Sequence, residues 1–230
     1  MTRGELRDRI LTGLNESTSA PVFWSAAQIN QTINEGLELI SEEAEAVKRT
    51  AFVALRPGTT YYSTRGIAPD MFMPWRLWLH TNNRRLTATS VSELDRDHET
   101  WETVSGNPEW WFPMGWDWFG VWPKATTGGG VLRVDYFSWP RALEDDSDEP
   151  ELYLNDHEGL IFYGVYDGLL KRWDLERALG LWQLFLQCVG DNTARTGIKR
   201  QQARTFQSGA WGGTNFNSNL GDRFGHGMNR

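Results

Sequence analysis

The segment Trp24–Arg49, WSAAQINQTINEGLELISEEAEAVKR, decides how the first part of the chain folds. Ser25 and Gln28 have the S-x-x-Q spacing of a helix capping box, and Trp24 precedes the cap, where it can pack on Ile29. The apolar residues of the segment recur three or four positions apart, which is typical of one buried helix face. They are Ile29, Ile33, Leu37, Ile40, Ala44 and Val47. The spacing predicts a helix of about six turns that ends at the Lys-Arg pair, where cations suit the helix dipole.

Three further helices are predicted around this one. Thr2 and Glu5 form a T-x-x-E capping box for a helix that precedes it. An N-cap at Asn155 starts a third helix, and Asp174 starts a fourth after a turn at Arg172–Asp174. The apolar stripe of the third helix is Ile161, Val165, Leu169 and Trp173. The stripe of the fourth is Ala178, Leu181, Trp182, Phe185, Leu186 and Val189.

Residues 50–150 show strand patterns. Thr50–Leu55 is rich in β-forming residues, and Val131–Phe137 alternates between two faces. Because none of the four helices can bury its apolar face alone, we expect them to pack together. The predicted fold class is α+β, with a helical bundle of about four helices, an inserted small antiparallel β domain and an extended C-terminal arm.

These patterns also predict the domain boundaries. Residues 1–49 and 151–205 are expected to form the bundle, and residues 50–150 the β-rich insertion. Residues 206–230 are rich in Gly, Asn and Ser and carry isolated aromatic residues, so we expect an extended arm.

Composition and charge narrow the classes of function. Tryptophan occurs 13 times in 230 residues, and so much aromatic surface must be buried or engaged, which argues against a disordered chain. The net charge is −7, but residues 191–230 hold six Lys/Arg against two Asp/Glu, a net charge of +4. The first 190 residues therefore carry −11. An acidic body with a basic tail does not fit a duplex-DNA binder.

The cysteine count, the N-terminus and the length of the apolar stretches indicate where the protein is made. A single cysteine, Cys188, excludes an internal disulfide framework. The charged N-terminus is neither a signal peptide nor a transit peptide. The longest uncharged apolar stretch, Gly159–Tyr166, is too short to span a membrane. We therefore expect synthesis in the cytoplasm and no membrane association.

Motifs of catalysis, metal binding and cofactor binding are absent from the sequence. The acidic run Glu144–Glu149 lacks the alternating ligands and central glycine of a calcium loop, so a solvated loop is expected. Glu109 and Asp117 form a carboxylate pair of the kind that chance supplies. We predict no catalytic residue, no metal and no cofactor.

The segment Glu109–Trp122 contains seven aromatic residues and admits three interpretations. It could be a sugar-stacking platform, a surface for stacking single-stranded nucleic acid, or a β core that also serves as a protein interface. A local shortage of Lys and Arg argues against nucleic acid. The third interpretation is favoured, and it predicts interface residues. These are Trp110, Trp111, Trp116 and Trp118.

The order of motifs along most of the chain resembles the head–tail adaptor (connector) proteins of tailed double-stranded DNA phages. These are the ring components bound beneath the portal. The features that carry the resemblance are the helix start Trp24–Asn34, Arg56–Gly58 with Tyr61–Tyr62, Leu86, Leu94–Trp101, Gly106–Pro108, Val121–Pro123, Gly130–Tyr136, Pro140–Leu143, and the series Pro150, Leu152, His157, Leu160, Tyr163, Leu169, Leu170, Asp174, Ala178 and Trp182.

The resemblance implies a structural virion protein at the head–tail junction, without enzymatic activity. The implied partners are copies of itself in a ring, usually of twelve, the portal protein, and a tail or nozzle protein. Genomic DNA would pass through the lumen without specific binding, because an acidic ring repels it. A Trp-rich carbohydrate-binding protein of a phage or bacterium is the alternative, and a DNA-packaging accessory factor is a second rival.

The arm is expected to fold along the portal or a neighbouring subunit, with aromatic side chains as anchors and basic side chains beside them. The residues concerned are Arg204, Trp211, Phe216, Arg223 and Phe224.

Overall fold

The computed structural model describes residues 1–152 and 156–200, with side chains in these ranges as far as Gly190. The helices are α1 (Arg3–Gly13), α2 (Ala26–Ala44), α3 (Thr64–Ile67), α4 (Val91–Asp97), α5 (His157–Lys171) and α6 (Leu175–Arg200). The strands are β1 (Lys48–Ala54), β2 (Tyr61–Ser63), β3 (Met71–Leu79), β4 (Arg84–Arg85), β5 (Thr87–Ala88), β6 (Ser105–Gly106), β7 (Trp110–Met114), β8 (Trp118–Trp122), β9 (Lys124–Ala125) and β10 (Val131–Ser138).

This content corrects the expected fold class. The described residues form six helices and three sheets built from ten strands, so a four-helix bundle with a small inserted β domain is wrong. Five of the strands have three residues or fewer. Strands that short are defined by hydrogen bonds to distant segments and carry no readable periodicity, which is why the sequence patterns missed them.

The described chain divides into two compact units. The first holds Met1–Phe52, Thr64–Trp75 and Val134–Ile198, and the second holds Val53–Ser63, Arg76–Arg133 and the last two described residues. The chain thus enters the second unit more than once, and neither unit is continuous in sequence.

Both predicted capping boxes near the N-terminus are confirmed. In α1 the Thr2 side chain accepts from the Glu5 N–H, and in α2 the Ser25 side chain accepts from the Gln28 N–H. Helix α2 ends earlier than expected, at Ala44, because Glu45 adopts a left-handed φ of 48°.

The cations expected at the end of α2 lie in strand β1 instead. Arg49 donates to the carboxylates of Asp70 at 2.5 Å and Glu151 at 2.6 Å, rather than to helix carbonyls. Hydrogen bonding to β10 begins directly after the helix, because the Val47 carbonyl accepts the Ser138 N–H at 3.0 Å.

The sheets combine antiparallel and parallel pairs. One sheet has the order β1-β10-β3-β4, and β10 confirms the strand predicted at Val131–Phe137. Another has the order β2-β8-β7-β5, in which β7 and β8 form an antiparallel hairpin. Strand β5 runs parallel to β7, and β6 runs parallel to β9. The expectation of a purely antiparallel β domain is therefore wrong.

The helical core of the first unit is built from α1, α2, α5 and α6. Its buried members all come from the apolar stripes of these helices and the loops beside them. They include Leu6, Ile10, Leu14, Trp24, Ile29, Ile33, Leu37, Ile40, Leu160, Val165, Leu169, Ala178, Phe185 and Val189.

Helix α5 lies unusually close to α1. A Cβ on Gly164 would meet Ile10 Cδ1 at 2.4 Å, and a Cβ on Gly168 would meet Leu14 Cδ2 at 2.6 Å. Distances below 3.0 Å require a neighbour to move, so glycine is what permits this approach.

The turn between α5 and α6 is where the sequence predicted it. Helix α5 ends at Lys171 and α6 begins at Leu175. The predicted N-cap Asn155 lies outside the described residues. Trp173 does not continue the stripe of α5, as the spacing had predicted, because the helix has already ended and the residue has a left-handed φ of 63°.

The close approach of the helices predicts opposite effects for two glycine substitutions. Gly164→Val should lower the free energy of unfolding by about 2 kcal/mol, because overpacking a tight contact forces the helices apart. Gly180→Ala in α6, where a Cβ would meet nothing within 4 Å, should raise it by about 0.5–1 kcal/mol. Urea unfolding of both variants measures the difference. Equal effects would contradict the close contact.

Candidate interaction surfaces

Three of the seven tryptophans in the described part of the second unit are buried, namely Trp101, Trp111 and Trp122. Trp101, Phe112 and Trp122 are buried together with Leu94. The indole N–H groups are satisfied inside the unit, because Trp122 Nε1 donates to the Trp101 carbonyl at 2.9 Å and Trp101 Nε1 donates to Asp95 at 2.8 Å. These side chains stabilise the unit and are not available to a partner.

The hairpin of β7 and β8 carries the four tryptophans that the sequence proposed for an interface. Trp111 is only 4% exposed, and Trp110 is half-buried with its ring centroid 4.9 Å from that of Trp122. Trp116 and Trp118 are 67% and 48% exposed. Two of the four side chains therefore present surface, whereas Trp111 is buried and Trp110 half-buried.

The exposed end of this hairpin, which we name the hairpin tip, consists of Met114, Trp116 and Trp118. Met114 and Trp118 are directly opposite each other in the register, and Gly115 makes the turn with a left-handed φ of 67°. All three tip side chains are more than two-fifths exposed. Clustered exposed apolar side chains of this kind mark surfaces that bind other proteins.

Polar groups near the aromatic core serve packing. The Tyr61 hydroxyl donates to Glu102 at 2.8 Å, and burial together with this carboxylate raises the pKa of Tyr61 to about 12. His98 packs on Trp122 with a centroid distance of 4.6 Å. In the part of the chain that the structure describes, no group of three His, Cys, Asp or Glu side chains could hold a metal ion.

The acidic loop 144–149 is tied to α1. Asp146 accepts from Arg7 at 2.7 Å and from Arg3 at 2.8 Å, and its carbonyl accepts the Gly4 N–H. The hydrogen bonds from Arg7 and then Arg3 hold the pKa of Asp146 well below its usual range, against a small opposing effect of burial. The loop is exposed, as expected for a solvated loop, and part of its charge is also neutralised by the arginines of α1.

A second exposed apolar cluster escaped the sequence patterns. Val22 and Trp173 are 95% and 84% exposed, and Phe23 is 58% exposed. Val22 and Phe23 follow a polar loop with no periodicity, and Trp173 was assigned to a buried stripe. The one available signal was the predicted helix break at Arg172–Asp174, since an apolar residue inside a turn is seldom buried.

Glu16 links the loop that carries Val22 to the turn that carries Trp173. Its carboxylate accepts the Val22 N–H at 3.1 Å and pairs with Arg172. The hydrogen bond from Val22 and the hydrogen bond from Arg172 lower the pKa of Glu16, with desolvation opposing them.

The predicted arm residues Arg204, Trp211, Phe216, Arg223 and Phe224 lie outside the described residues. Their role stays a prediction.

Comparison with protein families identifies a relationship. A family model described as SU10 adaptor protein matches residues 1–211. A search of curated proteins found no match. Among the described residues, no helix has both the length and the apolar character needed to cross a membrane.

The buried and the exposed tryptophans of the hairpin should contribute differently to the free energy of unfolding. Trp111→Ala should lower the free energy of unfolding by about 3–5 kcal/mol because it empties a buried site. Trp118→Ser should change it by no more than about 0.5 kcal/mol, since the indole is half exposed. Chemical unfolding of the two variants tests this. A large loss for Trp118→Ser would mean that the tip is part of the core.

The carboxylate of Glu16 should make the stability of the first unit depend on pH. Its pKa is lowered by folding, so its stabilising effect is present above the unfolded pKa and is lost as pH falls through the folded value. Glu16→Gln should lower the melting temperature at pH 7, and the difference from the wild type should shrink on acidification. Glu38→Gln, at an exposed position of α2, is the control. A difference that does not vary with pH would contradict the role of the charge.

Proposed function

The chain belongs to the SU10 adaptor protein family, and on this premise we propose that it is the head–tail adaptor of a tailed double-stranded DNA phage. In this proposal, copies of the chain form a ring under the portal, connect the DNA-filled head to the tail and help to retain the genome. The observation that carries the proposal is the family match over residues 1–211. Adaptors are structural proteins, which supports a role without catalysis.

The exposed apolar residues support this proposal, because an adaptor must bind several other proteins. A ring subunit needs contacts with two neighbours, with the portal above and with the tail below. The hairpin tip, with Trp116 and Trp118, would contact a tail or nozzle protein or a neighbouring subunit. Trp110 and Trp111, in strand β7 of the same hairpin, would stabilise the hairpin that carries this tip. Clustered tryptophans are frequent anchors of protein interfaces.

The arm supplies the portal contact in this proposal. Residues 206–230 would extend from the domain proposed for residues 1–49 and 151–205 and would lie along the portal or a neighbouring subunit. Trp211, Phe216 and Phe224 would be the apolar anchors. Arg204 and Arg223 would add charge contacts to an acidic partner, as the basic composition of residues 191–230 favours.

The net negative charge of the chain supports the proposal that DNA passes through the ring. Each copy carries −7, so a ring of identical copies, proposed to number twelve to match the portal, would surround the genome with negative charge. Repulsion between this lumen and the phosphates would let DNA move without being held. No cofactor or membrane enters the proposal, and the assembled protein would reside at the head–tail junction after synthesis in the host cytoplasm.

Electron microscopy of particles that lack this protein tests the proposal directly. Adding the full chain should place a ring beneath the portal and restore joining of heads to tails. Density for the protein elsewhere in the particle, or none at all, would overturn the adaptor role.

The arm is tested in the same particles. Deletion of residues 206–230 should leave the melting temperature of the protein nearly unchanged and abolish head joining. The full-length triple variant Trp211→Ser, Phe216→Ser, Phe224→Ser is the companion and should also fail. Completion of particles by both variants would show that the arm is not the portal contact.

A further inference from the structure

The first unit presents an exposed apolar surface at the turn between α5 and α6, which we name the apolar tip. It consists of Val22 and Phe23 from the loop before α2, Trp173 from the turn, and the exposed leucines around them. These leucines are Leu170, Leu175 and Leu179. The loop and the turn are adjacent, because the Arg172 guanidinium lies 4.9 Å from the centre of the Phe23 ring.

The backbone projects Trp173 outward at a cost. Helix α5 ends with the Asp174 N–H bonded to the Leu169 carbonyl at 3.1 Å, and Trp173 occupies the left-handed position that follows the C-cap. Glycine is usual there, since a bulky residue with positive φ is disfavoured. The exposed indole gives the isolated chain little burial in return, so the benefit of this residue is expected outside the monomer.

The apolar tip is held rigidly before any partner arrives. Arg172 pairs with Glu16 and also donates to the Leu14 carbonyl at 2.9 Å, where α1 ends. Glu16 in turn accepts the Val22 N–H. Loop, turn and helix end are thus locked together, and a preformed surface binds with less loss of conformational entropy.

Three cations at the rim of the apolar tip have carboxylate partners among the described residues, namely Arg172 with Glu16, Lys171 with Asp167, and Arg177 with Asp174. Glu176 adds one exposed carboxylate. The surface therefore offers little to an anionic ligand. Copies of a chain that carries −7 repel each other, and they approach most easily through a surface that is mainly apolar.

The exposure of the tip fits the centre of a protein interface. Its six residues are between 39% and 95% exposed. They would supply the apolar centre of an interface of standard size, which takes ~800 Å² from each partner.

We propose that the apolar tip packs against a second copy of this chain. The contact would be one side of the head-to-tail interface that closes the ring, so it rests on the proposed function and names the surface used. Trp173 would be its central anchor. The hairpin tip would then be left for the tail protein.

Trp173→Gly is a sharp test, because glycine suits the left-handed backbone at this position. The variant removes the indole and should keep or raise the melting temperature of the monomer. Sedimentation equilibrium of the full chain should show concentration-dependent association of the wild type in the roughly micromolar range. Association should weaken by about thirtyfold or more in Trp173→Gly, as for an anchor residue.

A second variant and a matched control complete the experiment. Val22→Asp adds a charge at a fully exposed site and should weaken association without affecting the fold. Phe52→Ser removes an exposed aromatic ring from strand β1, outside both proposed surfaces, and should associate like the wild type. A wild type that stays monomeric, a Trp173→Gly variant that associates like the wild type, or loss of association only in Phe52→Ser would each overturn the assignment.

Failure here is distinguishable from failure of the adaptor role. Rings beneath the portal that still form with Trp173→Gly would refute the apolar tip alone. Absence of any ring with the wild-type protein would refute the adaptor role.

Discussion

The close approach of α5 to α1 is the contact on which the first unit depends. At Gly164 and Gly168 of α5 there is no room for a side chain, because Ile10 and Leu14 lie directly against the backbone. Helices α1 and α5 therefore stay in close contact up to their C-terminal ends. There Arg172 donates to the carbonyl of Leu14, the C-cap of α1, and pairs with Glu16. A packing constraint in the core thereby positions the exposed turn, and with it the indole of Trp173.

The two units use tryptophan in different ways. In the second unit Trp110 packs against Trp122, and the indole N–H groups of Trp101 and Trp122 have partners inside the unit, so large side chains supply the core of a small β structure. The hairpin then carries Trp116 and Trp118 past the edge of that core. In the first unit the helical core is mainly aliphatic, and the exposed Trp173 lies at a helix break. Both arrangements fit an adaptor that binds neighbours through surfaces held on rigid elements.

The helices were predictable because their signals are local. Capping boxes and spacings of three and four residues predicted the starts of α1 and α2 and the break between α5 and α6. The short strands and the parallel pairs were not predictable, since each depends on a hydrogen-bond partner far away in sequence. Apolar spacing also missed the end of α2, which is set by the left-handed backbone of Glu45. The boundaries predicted for the domains and the arm stay predictions.

By itself, the sequence determined the long amphipathic helices, the acidic balance of the body and the concentration of tryptophan between Trp75 and Trp122. It could not determine which tryptophans are exposed. Trp110, Trp111, Trp116 and Trp118 look alike in the sequence, and only their places in the folded hairpin separate the buried Trp111 from Trp116 in the turn and Trp118 beside it. The tertiary structure likewise decided that Trp173 leaves the core, because exposure depends on where a helix ends against its neighbours and not on spacing alone.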